Sequence, residues 1–490
     1  MFNCWKRYSH LLPDVYPALS SLVLGTVLMF GLPLLIASNC QAQVKGKLRV
    51  SENHRFLEYE DGTPFFYLGD TAWELFHRLN REQALRYLTN RTEKGFTVIQ
   101  AVVLAEIQGL DVPNAYGDLP LIDKDPTKPN DAYFQCVDYI VNKAEELGLF
   151  IGMLPSWGHH WGLVGKKPPF VFTVENAQVY GRFLGNRYRD KPIIWILGGD
   201  KTIRSEEERA IMDAMAAGLK EGDGGNHLMT YHPRGPGLSS SHLHNADWLD
   251  FNMYQSSHGG HDHDNGLFAE HDYALEPPKP TLDGEPRYEC IPVGFYFANF
   301  NRYDRFDAYD VRQAAYWSLL AGACGHTYGH NSIWQMWEPG REPRIHADIP
   351  WYEALDHPGA FQMRFVRRLF ESRPFQKLVP AQDMILVGPK DDKAKIRAAK
   401  ASDGSFAFIY TPMGEKFTVD KNSIKAERVR EIWYDPRYGI AYYVHSTDNW
   451  GFQTYTPPTS GRGNDWILIL EAEEANFPLP GTTEVGESKK

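Results

Sequence analysis

Beyond residue 45 the chain alternates short apolar runs with longer stretches in which apolar residues recur every three or four positions. The short runs have the pattern of buried strands, and the longer stretches have the pattern of amphipathic helices. The predicted strands cover residues 65–69, 97–103, 149–154, 193–197, 227–231, 249–253, 280–284 and 323–328. The predicted helices cover residues 81–94, 131–147, 175–189, 205–220 and 309–321.

Eight strands separated by helices predict parallel βα units, and that number favours a (β/α)₈ TIM barrel over an open doubly wound sheet. The weakest part of this pattern lies between the fifth and sixth strands. Residues 233–245 are rich in Gly, Ser and His, so the helix expected there is missing or very short.

After Pro374 the pattern changes to short alternating runs separated by turn signals such as Ser402-Asp403-Gly404. This pattern predicts a small all-β domain, most simply a sandwich. The predicted organisation is an N-terminal segment over residues 1–42, a catalytic barrel over 45–375, a β-sandwich over 378–478 and a polar, disordered tail over 479–490.

The N-terminal segment has the features of an export signal. Lys6 and Arg7 precede an apolar run over residues 18–37, and Cys40-Gln41-Ala42 offers small residues at the cleavage spacing. We therefore expect a secreted or periplasmic protein. The apolar run is nearly long enough to span a bilayer, so an uncleaved membrane anchor is the alternative. The three cysteines beyond this segment are too few for a disulfide framework.

Charge and composition narrow the classes of molecule that this protein could bind. A net charge of −11 argues against a nucleic acid, since phosphate backbones require clustered Lys and Arg. It does not exclude an acidic polysaccharide, because the charge of a cleft can differ from the surface average. The aromatic content of 13% includes 13 Trp, and flat aromatic rings are used by sugar-binding clefts. We therefore expect a polysaccharide or oligosaccharide substrate.

Two carboxylates follow strands that lie across the barrel mouth from each other. Asp200 follows two glycines after the fourth strand, and Glu285 follows Asp283-Gly284 at the end of the seventh. Cleavage of a glycosidic bond needs one carboxylic acid to protonate the leaving oxygen and a second carboxylate as nucleophile or base. The sequence therefore predicts a glycoside hydrolase with Asp200 and Glu285 as its catalytic pair.

Other roles for these residues stay open at this point. Asp200 could cap the next helix, and Glu285 could pair with Arg287. Glu289 could be the nucleophile instead of Glu285 if the seventh strand ends later than predicted.

The remaining strand ends supply side chains that suit sugar binding, because a barrel carries its active site at the carboxyl ends of its strands. The predicted substrate-binding residues are Asp70, Trp73, Glu74, Glu106, Trp157, His159, His232, Tyr254, Gln255 and Trp334. For Asp70 and Glu74 helix capping is the alternative, and for the tryptophans it is a place in the core.

A histidine-rich loop offers potential metal ligands at His258, His261, His263 and Asp264, and His159-His160 adds two more. The loop is irregular and rich in Gly, whereas zinc sites usually place paired ligands at a fixed spacing. We expect no metal and no other cofactor, with the loop lining the cleft and binding hydroxyls or a uronate. A metal-dependent hydrolase is the alternative.

Several motifs along residues 45–375 occur in the order found in one enzyme family: Leu68-Gly69-Asp70-Thr71-Ala72-Trp73, Met153-Leu154-Pro155-Ser156-Trp157-Gly158, Ile194-Trp195-Ile196-Leu197-Gly198-Gly199-Asp200, Asp283-Gly284-Glu285-Pro286-Arg287-Tyr288-Glu289 and Tyr328-Gly329-His330. This region resembles the apiosidase-like catalytic domain of the glycoside hydrolase family 140 type. The β domain is similar to one named for collagen binding in a collagenase.

The resemblance implies a retaining (β/α)₈ enzyme that cleaves apiose linkages in the pectin rhamnogalacturonan II. It implies an acid/base Asp after strand four, here Asp200, and a nucleophilic Glu after strand seven, here Glu285. A relative on this scaffold could act on another sugar. A carbohydrate- or matrix-binding protein without catalysis is the alternative from another class.

Overall fold

The computed structural model describes residues 46–390 and 392–481. The predicted export signal lies outside these residues, as does the predicted tail beyond residue 481. Within the described ranges no helix combines the length and the apolar character needed to cross a bilayer.

A curled sheet of eight parallel strands forms the first region, preceded by a small antiparallel sheet. The small sheet contains β1 (Leu48–Val50), β2 (Leu57–Tyr59) and β3 (Pro64–Phe65). The barrel strands are β4 (Tyr67–Thr71), β5 (Val98–Leu104), β6 (Phe150–Ser156), β7 (Ile193–Gly198), β8 (Met229–His232), β10 (Asn252–Gln255), β11 (Thr281–Asp283) and β12 (Gly325–Tyr328), with β9 (Gly237–Leu238) antiparallel beside β10. The predicted barrel is confirmed, and all eight predicted strands form.

The order of strands in this sheet is β8-β7-β6-β5-β4-β12-β11-β10-β9. The barrel closes between β8 and the chain entering β10. The Asp250 N–H donates to the Met229 carbonyl at 2.9 Å, and the Asp250 carboxylate accepts from the Met229 N–H at 2.7 Å. The Thr230 hydroxyl donates to the Phe251 carbonyl at 2.7 Å. One backbone bond and two side-chain bonds therefore complete the ring where a regular ladder is not formed.

Strand β5 shows why the barrel strands appear in the sequence as continuous runs of apolar residues. Its residues are all buried, and Ile99, Ala101 and Val103 pack with the helices while Val98 and Val102 belong to a second apolar cluster. A strand that is covered on both faces needs apolar residues at odd and even positions alike.

Twelve α-helices accompany the barrel strands in the described residues: α1 (Leu75–Arg78), α2 (Arg81–Glu93), α3 (Asp131–Glu146), α4 (Gly158–Trp161), α5 (Val174–Tyr188), α6 (Glu206–Asp223), α7 (Ser240–Leu243), α8 (Gly266–Tyr273), α9 (Ala308–Leu320), α10 (Asn331–Trp334), α11 (Trp351–Ala354) and α12 (Pro358–Glu371). The five predicted helices form. Between the fifth and sixth barrel strands, β8 and β10, where a helix was expected to be missing or very short, the only helix is the single turn of α7. Helices α8 and α12 were not predicted from the sequence. Pro358 at the first turn and buried Met363, Val366 and Leu369 were available signals for α12.

The C-terminal region is all-β, as predicted. One sheet has six strands in the order β13-β15-β16-β21-β18-β19, and the other has three in the order β14-β17-β20. The bounds are β13 (Leu378–Pro380), β14 (Ile385–Val387), β15 (Arg397–Ala401), β16 (Phe406–Thr411), β17 (Phe417–Asp420), β18 (Arg428–Asp435), β19 (Ile440–Asp448), β20 (Phe452–Tyr455) and β21 (Trp466–Ala472).

Buried charges join the β region to the barrel helices. Arg312 of α9 donates to Asp465 through Nε at 2.7 Å, and both side chains are almost fully buried. The Tyr410 hydroxyl also donates to Asp465 at 3.2 Å, and its ring stacks on Tyr316 of α9 at 4.9 Å. Because both charged side chains are buried, each needs the other as its counter-charge.

We predict that Asp465→Ala lowers the free energy of unfolding by about 3–5 kcal/mol, because it leaves the Arg312 guanidinium buried without its counter-charge. Urea unfolding followed by tryptophan fluorescence measures the loss. Asp448→Ala is the matched control, since Asp448 pairs with Arg428 on the surface and its removal should change little. Equal stability of the two variants would contradict the prediction.

Candidate active site

A cleft of about 520 Å³ opens at the carboxyl ends of the barrel strands. Its lining includes seven residues predicted from the sequence, namely Trp73, Glu106, Trp157, Asp200, Gln255, Glu285 and Trp334. The cleft therefore brings both predicted catalytic carboxylates together with all three tryptophans predicted to bind substrate.

Asp200 stands at the end of a left-handed turn. Gly198, Gly199 and Asp200 have φ angles of 93°, 89° and 49°. A Cβ on Gly198 would lie 2.4 Å from the His232 carbonyl oxygen, and one on Gly199 would lie 2.8 Å from the Trp157 ring. Glycine is therefore required at both positions. A non-glycine residue with positive φ is strained, and such strain is commonly stored at functional sites.

One histidine contacts both of the residues predicted as the catalytic pair. The Asp200 N–H donates to His232 Nδ1 at 3.1 Å, so in the neutral ring the proton must be on Nε2. His232 Nε2 lies 3.1 Å from Glu285 Oε2, and the ring is fully buried. His232 was predicted to bind substrate, but it lies behind the cleft and positions the two carboxylate-bearing segments.

Glu285 has a second histidine neighbour. His258 Nε2 lies within hydrogen-bond distance of Glu285 Oε1, at 3.3 Å, and the His258 ring packs on Tyr288 at 4.7 Å. Arg287, the alternative partner of Glu285, instead donates to Gln313 at 2.8 Å. Helix α6 is capped by Ser205 and not by Asp200. Neither alternative structural role is therefore seen.

The two carboxyl groups have pKa values displaced in opposite directions. Burial and, after it, the negative charge of Glu285 together raise the pKa of Asp200 to about 6. Burial also acts to raise the pKa of Glu285, but His232 and His258 outweigh it and lower the value to about 2. Between these values Asp200 is protonated while Glu285 is ionised, which is the arrangement of a general acid beside a nucleophile.

Glu289, the rival nucleophile, is engaged elsewhere. Its carboxylate accepts from the Tyr328 hydroxyl at 2.6 Å and from the Gly359 N–H at 3.1 and 3.2 Å. Burial raises its pKa to about 7. It does not line the cleft, and these bonds join the segment after β11 to the end of β12 and the start of α12.

Besides His232, four predicted substrate-binding residues do not reach the cleft. Asp70 is fully buried and accepts from Arg91 of α2 at 2.6 Å. Glu74 is held by His77 at 2.7 Å and by the Ile107 N–H at 2.8 Å. Tyr254 is buried against Phe268, with the ring centroids 5.6 Å apart. These assignments are corrected, because each side chain contacts neighbouring parts of the barrel instead of open space. His159 is exposed and lies outside the lining, with its ring tilted against that of His160 at a centroid distance of 3.9 Å.

Several lining residues were missed or given another role. Arg234, Tyr288 and Tyr296 line the cleft, and His258 does so too, although the sequence suggested it as a metal ligand. Arg234 lies two residues beyond the end of β8, so its position after a barrel strand was the available signal.

The histidine-rich loop is bound to protein partners. His261 lies 2.9 Å from Asp310 and 3.0 Å from Asp304, and the bond to Asp310 raises its pKa to about 9. Asp264 binds Lys395 and Arg397 of the β region at 2.8 and 2.7 Å. This loop therefore joins the barrel to the β region.

Another group of potential metal ligands lies beside Glu289. Ligand atoms of Cys290, His330 and His357 lie within 4.8 Å of one another. However, His330 Nδ1 accepts from the Ser332 N–H at 3.0 Å, so its Nε2 carries the proton of the neutral ring and faces His357 Nδ1 at 3.1 Å. Hydrogen bonding within the protein accounts for this group, and it fits a metal poorly.

Comparison with known proteins places the chain in a family. The family described as "Apiosidase-like, catalytic domain" matches residues 51–377, which is most of the chain. The chain belongs to the apiosidase-like family. The family described as "Putative collagen-binding domain of a collagenase" matches residues 379–471. A comparison with curated proteins found no match.

Solved structures similar to this apiosidase-like chain are glycoside hydrolases. One, titled "Glycoside hydrolase", is 36% identical with a TM-score of 0.79, covering 88% of this chain and 97% of its own. Another, a glycoside hydrolase family 5 from Bacteroides vulgatus ATCC 8482, is 33% identical with a TM-score of 0.80, covering 88% and 94%. The predicted class of enzyme is thereby confirmed: this apiosidase-like protein is a glycosidase.

We predict that Glu106 of this apiosidase-like enzyme acts as a neutral hydrogen-bonding group. Burial, followed by the charges of Glu74, Asp200 and Glu285, raises its pKa well above the usual range. Glu106→Gln should therefore keep kcat/KM within about threefold, whereas Glu106→Ala should lower it about tenfold through a lost hydrogen bond. Steady-state kinetics on one substrate would measure both. An equal loss in the two variants would show that the ionised carboxylate is required.

Proposed function

We propose that this protein is a retaining glycosidase in which Asp200 is the acid/base and Glu285 is the nucleophile. The proposal rests on the contacts of His232 with the Asp200 N–H and with the Glu285 carboxylate, and on the opposite displacement of the pKa values of the two carboxyl groups. A two-carboxylate retaining mechanism requires this division of protonation states.

In the first step the ionised Glu285 carboxylate attacks the anomeric carbon while the Asp200 carboxylic acid gives its proton to the leaving oxygen. The glycosidic bond breaks and an ester forms between the sugar and Glu285. In the second step the Asp200 carboxylate takes a proton from water, whose oxygen attacks the same carbon and displaces Glu285. His232 and His258 keep Glu285 ionised and oriented throughout.

We propose plant cell-wall polysaccharide as the substrate, specifically rhamnogalacturonan II, with the protein secreted or periplasmic. The apiosidase-like family match supports the sugar class. Trp73, Trp157 and Trp334 offer flat faces for sugar rings around the catalytic pair. The charged N-terminal run followed by an apolar segment supports export.

The assignment of the catalytic pair predicts distinct rescue behaviour. Asp200→Ala should lower kcat on unactivated substrates about 10²–10⁴-fold, and azide should restore activity with a glycosyl azide of retained configuration. Glu285→Ala should yield a glycosyl azide of inverted configuration. The two variants are incubated with rhamnogalacturonan II and with aryl glycosides, and NMR of the products distinguishes the retained from the inverted glycosyl azide.

Glu289→Gln is the matched control for these variants, because its side chain is bonded to Tyr328 and Gly359 outside the cleft. It should keep nearly full activity. Wild-type activity in both Asp200→Ala and Glu285→Ala would contradict the assignment.

The pKa of Asp200 predicts the pH profile. Because the acid must be protonated, kcat/KM should fall about tenfold per pH unit above about pH 6. Glu285, with a pKa of about 2, remains ionised down to strongly acidic pH. Asp200→Ala, assayed with an activated aryl glycoside that needs no proton, should lose the fall above pH 6. Persistence of that fall in the variant would assign it to another group.

A further inference from the structure

A second cavity, of about 290 Å³, adjoins the catalytic cleft. Glu106 lines the cleft, and the next residue, Ile107, lines the cavity. Ile345 lines the cleft, and the preceding residue, Arg344, lines the cavity. Burial raises the pKa of Glu106, and the charge of Arg344 acts against this rise, so the two groups interact across the boundary. We call this space the arginine cavity after three residues of its lining, namely Arg78, Arg341 and Arg344.

Arg344 is the arginine of this cavity whose charge has no partner in the protein. Its side chain is exposed, and within the described ranges its guanidinium makes no hydrogen bond and no ion pair. Arg78, in contrast, donates to the Gln335 carbonyl at 2.6 Å. Arg341 pairs with Glu338 at 3.0 Å. The guanidinium of Arg344 is therefore the one that a ligand can bind without breaking a bond within the protein.

The arginine cavity carries an excess of positive charge, although the chain as a whole carries a net charge of −11. In its described lining a single acid, Glu342, stands against the three arginines. Burial lowers the pKa of Arg78, and the negative charge of Glu74 acts against this effect. The charges of Arg341 and Arg344 lower the pKa of Arg78 further. Arginines that repel one another in this way are stabilised by a bound anion.

A buried amide in the same lining indicates a ligand that accepts hydrogen bonds. Asn114 is 6% exposed, and its Oδ1 accepts from the N–H groups of Tyr116 and Asp118 at 2.9 and 3.0 Å. These two bonds fix which end of the amide is the oxygen, so Nδ2 is left as a donor. Among the described residues Nδ2 has no hydrogen-bond partner. A buried donor without a partner is costly, and a carboxylate oxygen supplies the missing acceptor.

The arginine cavity lies across the barrel mouth from the proposed acid/base. Its lining follows β4, β5 and β12 in the chain, whereas Asp200 follows β7. In the closed barrel β12 lies four strands from β7 in either direction. Asp200 protonates the oxygen that departs with the leaving group, so the opposite side of the cleft receives the glycone, which is the part of the substrate that Glu285 attacks.

We propose that the arginine cavity binds a carboxylate on the glycone side of the substrate, with Arg344 and Asn114 as its ligand-binding residues. The ligand is an acidic sugar joined to the sugar that Glu285 attacks. This inference rests on the proposed function, because the role of Asp200 decides which side of the cleft receives the glycone. A guanidinium forms strong charge-assisted hydrogen bonds with a carboxylate, and the amide donor adds another bond to the same anion.

Three substitutions change the charge of the cavity in known directions. Arg344→Met removes the unpaired positive charge. Asn114→Asp keeps the oxygen that binds the two N–H groups and adds a negative charge. Glu342→Gln removes the acid of the described lining. Arg428→Met, which removes an exposed arginine of the β region, is the matched control.

The first test compares substrates that differ in charge. Rhamnogalacturonan II is assayed beside the same polysaccharide after its carboxylates have been reduced to alcohols. We expect Arg344→Met to raise KM for the native polysaccharide about tenfold, because a charge-assisted hydrogen bond is lost, and Asn114→Asp to raise it at least as much. Glu342→Gln should lower this KM about twofold, because a repulsive charge near the surface is removed.

The reduced polysaccharide and the control variant set the baseline. KM for the reduced polysaccharide should stay within about twofold in every variant, and Arg428→Met should match wild type on both substrates. An unchanged KM for the native polysaccharide in both Arg344→Met and Asn114→Asp would overturn this inference and leave the proposed function standing. Equal rises in KM for the native and the reduced polysaccharide would overturn it as well, because the effect would not depend on a carboxylate.

A binding measurement separates the two proposals. Calorimetric titration of the full chain with native and reduced rhamnogalacturonan II reports carboxylate recognition without turnover. If wild type hydrolyses no substrate, the proposed function fails, yet weaker binding of the native polysaccharide alone by Arg344→Met still supports a carboxylate site in this cavity. Equal binding of the native and the reduced polysaccharide by wild type would overturn the site.

Product inhibition locates the carboxylate on the substrate. The glycone product and the leaving-group product are separated after hydrolysis, and each is added back to the assay. Arg344→Met should weaken inhibition by the glycone product about tenfold, because the lost charge-assisted bond is made to that product. Inhibition by the leaving-group product should stay unchanged. The reverse pattern would assign the carboxylate to the leaving group and overturn this inference.

Discussion

The site depends on one imidazole ring placed between two strand ends. His232 accepts the Asp200 N–H on Nδ1, and this bond leaves Nε2 as the protonated nitrogen that faces Glu285. The tautomer is therefore set by the backbone and does not depend on the substrate. With His258 on its other oxygen, Glu285 stays ionised although it is buried, and its charge in turn helps to keep Asp200 protonated. Opposite protonation states thus follow from a single geometry.

That geometry requires an unusual backbone. Three successive residues with positive φ end β7, and the two glycines among them lie too close to His232 and Trp157 for any side chain. The glycines let the chain turn sharply enough for the Asp200 N–H to reach His232. The turn is also bonded to α4, because the Gly158 N–H donates to the Gly199 carbonyl at 2.8 Å. The ends of β6 and β7 therefore form one rigid unit. Rigid support of this kind is what catalytic groups need.

The fold and the position of the two cleft carboxylates were predictable because both depend on local pattern. Apolar runs ending in Gly-Gly-Asp and Asp-Gly-Glu locate the carboxyl ends of two strands. The errors arose where the direction of a side chain decides its role. Asp70 lies on a strand end like Asp200, but it is bonded to Tyr87 and Arg91 of α2. Spacing alone does not show which face a residue at a strand end takes, and the partners that bind Asp70 come from a helix packed against the strand.

The proposed mechanism requires a covalent bond between Glu285 and the sugar. A 2-deoxy-2-fluoro glycoside of the released sugar slows the second step, so the intermediate accumulates and can be measured by intact mass spectrometry and peptide sequencing. We expect one added sugar per chain, carried by Glu285 and absent from Glu285→Gln. A label on Glu289, or hydrolysis with inversion at the anomeric carbon and no adduct, would contradict it.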